Sequence, residues 1–289
     1  MKTDIDIASF SSYEEMIAYE TLWARKGATL KRVSEYLKDT DRPSKAQFTL
    51  DEFAVRDDVE KYFSKIEKNF SVITAESYQY PSALKDPAHQ IKLLYYRGDL
   101  RLLDSPKRIS IVGARKASEE GKRRAAKLAR LLAKEGYIIV SGLAEGIDTA
   151  AMEGTIAVGG KVVGVIGTPI NDYYPKKNIK LQDTVAKEHL LLSHVPIYRY
   201  LTEHFNTKRF YFPQRNVTMA AVSDATIIVE ASETSGTLTQ ARACIALGRK
   251  LFILNSCFER DDITWPEKYE KKGAIRVREI GDILTGLGD

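Results

Sequence analysis

No stretch of this sequence stays apolar and uncharged for the ~18 residues that a bilayer-spanning helix needs, so no transmembrane helix is expected. The first residues, MKTDIDIASF, hold no apolar signal core. Cysteine is scarce: Cys244 and Cys257 are the only two in 289 residues, and neither has a partner at metal-ligand spacing. That count excludes a disulfide scaffold and points to a reduced, cytoplasmic setting. Histidine is almost as rare. His89, His189, His194 and His204 show no HExxH or similar spacing, so no metal site is expected. GxGxxG is missing, which argues against an ordinary dinucleotide-dependent oxidoreductase. GxxxxGK[ST] and GxSxG are missing too, which removes Walker-type ATPases and the nucleophile-elbow hydrolases. No cofactor and no catalytic constellation are expected.

What is present is a soluble, core-forming composition. Hydrophobic residues make up 44% and charged residues 29%, with 44 Lys and Arg against 39 Asp and Glu for a net charge of +5. A mildly basic balance permits nucleic-acid binding without demanding it.

The chain changes character near residue 67. Before it, three helical segments are expected. The first follows Ser12 as N-cap, and the third is capped by Thr49 with Glu52 closing a capping box. Between the last two runs the turn-rich TDRPSKAQ. Residues 1–66 therefore read as a small helical domain or extension. After it come two short strands, FSVIT and IKLLYYRGD, then alternating strands and helices: RISIVGA, YIIVSG, KVVGVIG, LLLSHV, ATIIVEA and KLFILN. Near-continuous Ile, Val and Leu mark strands covered on both faces. The expectation for 67–289 is an α/β fold, an extended Rossmann-like, doubly wound and mostly parallel sheet. Pro196 to Arg209 reads as a long polar loop before a helix near Val217 to Val222, and the tail as a short strand and a last helix.

Five loops hold the chemistry, all on the edge where such sheets bind ligands. Gly113-Ala114-Arg115-Lys116-Ala117-Ser118 combines a tight turn, a helix start with free amides, and a guanidinium suited to phosphate. Ser141-Gly142-Leu143-Ala144-Glu145-Gly146-Ile147-Asp148 sets two glycines where a ligand would approach the backbone, with Asp148 as a cap. The third loop, from Gly167, holds Tyr173, Tyr174, Lys176, Lys177 and Asn178. The fourth, Thr207 to Asn216, packs Lys208, Arg209 and Arg215 with Phe210, Tyr211 and Phe212. Cations interleaved with aromatics suit a single strand, with Tyr173, Tyr174, Phe210 and Tyr211 as stacking candidates. The fifth, Glu230 to Thr237, puts Ser235, Gly236 and Thr237 at a helix start.

Together these loops resemble the DNA-processing protein A family, also called DprA or Smf. Gly113-Ala114-Arg115 is similar to that family's Gly-Ser-Arg, and Ser141 to Asp148 to its Ser-Gly-x-Ala-x-Gly-Ile-Asp. Tyr174-Pro175-x-x-Asn178, Phe212-Pro213-x-Arg215-Asn216 and Ser235-Gly236-Thr237-Leu238 match as well, as do Tyr80-Pro81-x-x-Leu84 and Tyr96-Arg97-Gly98-Asp99 upstream. The resemblance implies single-stranded DNA as partner, delivery to a RecA-type recombinase in recombination or natural transformation, a homodimer, and no catalysis. It also implies phosphate contacts from Arg115, Lys176 and Arg215, in a pocket lined by Asn178, Asn216, Ser235, Gly236 and Thr237. Ala114 departs from the pattern by removing a hydroxyl, and the winged-helix domain that many members append is not expected in the residues after Leu254.

The competing expectation is a nucleotide sensor or nucleotide-processing enzyme. Proteins resembling the LOG phosphoribohydrolases carry Gly-Gly-x-Gly-Thr-x-x-Glu. Here the aligned stretch ends at Gln240, whose amide cannot act as general acid or base.

Overall fold

The computed structural model describes residues 11–40, 42–85 and 91–288. His89 and the first ten residues, with the signal-peptide reading, lie outside them. The chain opens with helices α1 (Ser12–Ala24), α2 (Leu30–Tyr36) and α3 (Leu50–Phe63). Ser11, one residue before the expected cap, accepts the Glu14 amide with its hydroxyl. Glu52 accepts the Thr49 amide at 2.6 Å, completing the capping box at α3.

Nine strands then form one sheet. They are β1 (Ser71–Thr74), β2 (Leu93–Gly98), β3 (Arg108–Val112), β4 (Ile138–Ser141), β5 (Val162–Ile166), β6 (Leu190–Ser193), β7 (Ala225–Ile228), β8 (Lys250–Leu254) and β9 (Ile275–Val277). The helices between them are α4 (Ser82–Lys85), α5 (Glu119–Lys134), α6 (Ile147–Ile156), α7 (Ile179–Glu188), α8 (Ile197–Thr202), α9 (Phe205–Lys208), α10 (Tyr211–Ala221), α11 (Thr237–Ala246), α12 (Asn255–Phe258), α13 (Trp265–Glu270) and α14 (Ile280–Leu287). The strand order is β1-β2-β6-β5-β4-β3-β7-β8-β9. The β1–β2 and β2–β6 pairs are antiparallel and the other neighbours are parallel, which is the doubly wound, mostly parallel arrangement expected.

Alternation along each strand divides the core into two layers. Ile109 and Ile111 of β3 and Ile139 of β4 face Ala125, Leu132 and Met152 of α5 and α6. Ile138 and Val140 face the opposite side, with Met219 of α10, Ala241 of α11 and Trp265 of α13. The N-terminal helices join the first layer: Tyr19, Leu22 and Trp23 share one hydrophobic cluster with Tyr95 of β2 and Ile197 of α8. Glu20 of α1, fully buried, accepts hydrogen bonds from the Tyr95 hydroxyl and from the Ile197 and Tyr198 amides. The helical extension is thereby packed into the sheet rather than tethered beside it.

One element differs from expectation. The segment read as a long polar loop holds α8 and α9, and α10 begins at Tyr211 rather than near Val217. Pro213 hides that start. It sits in the first turn of α10, where its missing N–H leaves no helical bond unmade. In the tail, β9 and α14 appear as expected, with α12 and α13 in addition.

Candidate functional site

Strand β3 lies between β4 and β7. The chain leaves β3 for one face of the sheet and β7 for the other, which opens a crevice at their carboxyl ends. Two cavities adjoin there. One of about 200 Å³ is lined by Gly113, Arg115, Asp148, Asn216, Ser235, Gly236, Thr237 and Gln240, among others. The other, of about 220 Å³, is lined by Lys116, Gly142, Glu145, Gly167, Tyr174 and Phe212, among others, and shares Arg115, Ala144 and Arg215 with the first. All five loops singled out in the sequence contribute to these walls.

Backbone contacts hold the loops together. A Cβ at Gly146, where φ is +85°, would lie 2.3 Å from the Ala114 carbonyl oxygen, so only glycine lets the second loop rest on the first. The Ala114 amide donates to the Glu230 carbonyl at 2.7 Å, tying the first loop to the fifth. Gly236 differs: an added Cβ would meet nothing within 4 Å, and the backbone there is ordinary helix (φ −59°). No protein neighbour requires a glycine at that point, which faces the cavity.

Below the cavities lies a buried polar frame. Arg215 is 5% exposed, and its guanidinium donates to the Gly142 and Val165 carbonyls and to the Asn216 side chain. Arg215 is expected to contact phosphate; its Nε and Nη1 are engaged internally, while the residue as a whole lines both cavities and places its positive charge at their floor. Asp148 accepts the Gly142 amide at 3.0 Å. Burial pushes the Asp148 carboxyl up and the Arg215 guanidinium down, and each is the other's partial counterweight. Asn216 donates to the Gly236 carbonyl at 3.0 Å and so joins the frame to the fifth loop.

Several residues expected to touch ligand are structural instead. Ser141 is buried and donates to the Ile111 carbonyl across the sheet at 2.7 Å. Asn178 is buried and donates to the Leu143 carbonyl and the Thr149 hydroxyl, both at 2.8 Å, which pins the third loop to the second. Tyr211, read as a stacking residue, is 5% exposed. It packs against Trp23, His194 and Tyr200, and its hydroxyl donates to Glu203. Tyr173 is half-buried with its hydroxyl on Asp183. At the α5 N-terminus, expected to offer free amides, Ser118 caps the Gly121 amide at 2.9 Å, and Glu230 takes the Ser118 amide at 3.0 Å and its hydroxyl at 2.6 Å, so a carboxylate already sits beside the helix start.

At the mouth, Arg115 and Lys116 are exposed, and no ion pair among the described residues involves either. Arg115 lies over the Phe212 ring at 5.3 Å, and Tyr174, 46% exposed, contacts that ring at 5.5 Å. Phe212 lies in a matched motif but was not expected to stack. Its signal is its place beside Pro213, readable only once that segment is known to start a helix. Lys176 and Arg209 are exposed but line neither cavity, and Phe210, 58% exposed, lies under Arg209 away from the crevice. Lys177 pairs with Glu145 at 3.1 Å. At the α11 start, Ser235 accepts the Thr237 amide at 3.2 Å, and Thr237 donates to the Gly113 carbonyl. Gln240 is buried and donates to the Ser110 hydroxyl at 2.7 Å.

No group of three or more His, Cys, Asp or Glu among the described residues is placed to hold a metal, and no helix among them is long and apolar enough to cross a membrane. Cys244 and Cys257 are buried and unpaired, and burial pushes both thiols up to about 11.

Comparison with known proteins gives consistent matches. The model of the family described as DNA recombination-mediator protein A matches residues 71–288. The DNA processing protein DprA of Bacillus subtilis is 30% identical over 242 residues, which cover 81% of this chain and 80% of that protein. The X-ray structure of DprA from Streptococcus pneumoniae superposes with a TM-score of 0.71 at 28% identity, covering 94% of this chain and 92% of that one. A Helicobacter pylori DprA structure, described for its single-stranded DNA binding mode, superposes with a TM-score of 0.61 at 30% identity over 75% of this chain and 95% of that one.

Proposed function

Since the chain belongs to the DNA recombination-mediator protein A family, we propose that its crevice binds single-stranded DNA and that the protein hands the strand to a RecA-type recombinase. The observation that carries this reading is the pair Arg115 and Lys116, exposed and without ion-pair partners among the described residues, at the mouth of two cavities over the β3/β7 switch point. A strand laid there presents phosphates to these cations and to the Ser235-Gly236-Thr237 turn at the α11 start. Arg215 and the helix end keep the floor positive. Tyr174 and Phe212 offer rings on which a base stacks, worth ~1–3 kcal/mol per base. The relative from Helicobacter pylori, described as binding single-stranded DNA, supports the choice of ligand.

The function is binding and delivery without turnover. Gln240 stands where a related nucleotide hydrolase would need a carboxylate, and its amide is engaged with Ser110. In the cell the protein acts in recombination or natural transformation, as a homodimer that shields the strand before transfer. A labelled oligothymidine titrated at two salt concentrations tests the binding. Affinity should fall with salt. Arg115→Ala should weaken it about tenfold and make the salt slope shallower by about 0.7 for each phosphate that the variant no longer neutralises. Equal binding by the variant would refute the placement of the strand. Transfer is tested by displacement of oligonucleotide onto purified recombinase.

A further inference from the structure

Helix α5 holds six cations, Lys122, Arg123, Arg124, Lys127, Arg130 and Lys134, against two acids in its first turn. Nothing in the fold requires this. The residues of α5 that pack on the sheet are Gly121, Ala125, Leu128, Ala129 and Leu132.

The basic face continues the crevice. Lys116, which lines the crevice, also lines a neighbouring groove of about 670 Å³ that includes Arg124 and Arg260. That groove shares Arg124, Ser256 and Glu259 with a further one of about 520 Å³, whose rim holds Lys127 and Arg278 and whose floor is Leu128, Leu131, Leu254, Val277 and Ile280. Neighbouring grooves thus follow one another from Arg115 to Arg278, a furrow with Lys116, Arg124, Lys127, Arg260 and Arg278 along it and apolar residues at its far end.

Its acids are mostly engaged and several of its cations are not. Glu120 pairs with Arg123 and Arg124, Glu230 holds Ser118, and Glu279 caps α14. Glu259 accepts from the Asn255 side chain. Lys116, Lys127 and Arg278 are exposed, and no ion pair among the described residues involves them. A rim of free cations over an apolar floor fits a polyanion with hydrophobic faces, which describes single-stranded nucleic acid.

We infer that single-stranded nucleic acid leaving the crevice continues along this furrow, with phosphates on Lys116, Arg124, Lys127 and Arg278 and bases over the apolar floor. The inference rests on the crevice reading and extends it from a point of attachment to a track. It gives α5 a role: the helix both buttresses the sheet and guides the strand away from the switch point.

Oligonucleotide length separates the two claims. Oligothymidines of about six and about twenty nucleotides bracket the span of the crevice and of the whole track. The full chain is compared with Lys127→Ala plus Arg278→Ala, with Arg115→Ala, and with Lys134→Ala as a charge-removing control outside the furrow. The double variant should bind the short strand normally and bind the long strand several-fold more weakly. On the long strand alone its salt slope should be shallower by about 0.7 for each phosphate left unneutralised. The control should match wild type. Unchanged long-strand binding in the double variant, with both lengths weakened by Arg115→Ala, overturns the track and leaves the crevice standing. Failure of wild type to bind either length overturns both. Sedimentation of the double variant supplies the remaining outcome: an altered oligomeric state with unchanged DNA affinity assigns the furrow to a second copy of the chain and overturns the track.

Discussion

Asp148 and Arg215 grip the same residue from opposite sides. The Asp148 carboxylate accepts the Gly142 amide at 3.0 Å, and the Arg215 guanidinium donates to the Gly142 carbonyl. A Cβ at Gly142 would lie 1.8 Å from Arg215 Nη1 and 2.7 Å from Asp148 Oδ2. Gly142→Ala should therefore expel the guanidinium from its carbonyl nest. Breaking a buried charge arrangement costs ~3–5 kcal/mol, so denaturant unfolding should show a loss of that order. Because the frame also holds Asn216 against Gly236, strand affinity should fall in the protein that remains folded. A variant as stable as wild type would show that the grip contributes nothing.

Tyr174 and Tyr211 belong to two loops of similar composition, yet they should behave oppositely on truncation. Tyr174→Ala removes an exposed ring at the crevice and should leave thermal stability near wild type. It should weaken strand binding by ~1–3 kcal/mol at both low and high salt, since stacking is not screened as phosphate contacts are. Tyr211→Ala empties a space between Trp23, His194 and Tyr200. It should cost ~3–5 kcal/mol of stability, as large aromatic truncations in cores do, with DNA affinity of the folded fraction unchanged. Finding the reverse pattern would reassign the two rings.

The contrast shows what a sequence discloses and what it hides. The inner parallel strands were legible because a strand covered on both faces is dominated by Ile, Val and Leu, as Ile109 to Val112 and Val162 to Ile166 are. The convergence of the loops was legible too, because the βα order places every such loop on one edge. Side-chain direction was not. Ser141 and Asn178 have the composition of ligand-facing residues, but the carbonyls of Ile111 and Leu143 hold them from inside, and the Gly142 and Val165 carbonyls hold one nitrogen of Arg215 in the same way. A polar residue held by a distant backbone carbonyl looks, in one dimension, the same as one held by phosphate. The Glu230–Ser118 contact is hidden for a similar reason: its partners are 112 residues apart.

Glu20 and His194 supply the last prediction, which concerns pH. Burial pushes the Glu20 carboxyl up from 4.5 to about 7, with partial relief from the Tyr95 hydroxyl and the Ile197 and Tyr198 amides. Burial pushes the His194 imidazole down from 6.5 to about 3, aided by the nearby Arg215 cation. The signs oppose. A raised carboxyl favours the neutral group in the fold, so its contribution is complete below 4.5 and is lost as pH climbs through about 7. A lowered imidazole also favours the neutral group, so its contribution is complete above 6.5 and is lost as pH drops through about 3. Each slope is about 1.4 kcal/mol per pH unit. Between pH 4.5 and 6.5 the two cancel, and the pair adds almost no pH dependence to the wild type. Single variants should uncover the separate slopes. Relative to wild type, Glu20→Gln should gain stability with rising pH across that window, and His194→Gln should lose it. Both variants should be weaker overall, since Gln cannot satisfy the three donors around Glu20 or refill the imidazole site, but the sign of the slope does not depend on that loss. Urea unfolding at four pH values reads it directly. Parallel curves for wild type and both variants would mean that neither group titrates differently in the fold.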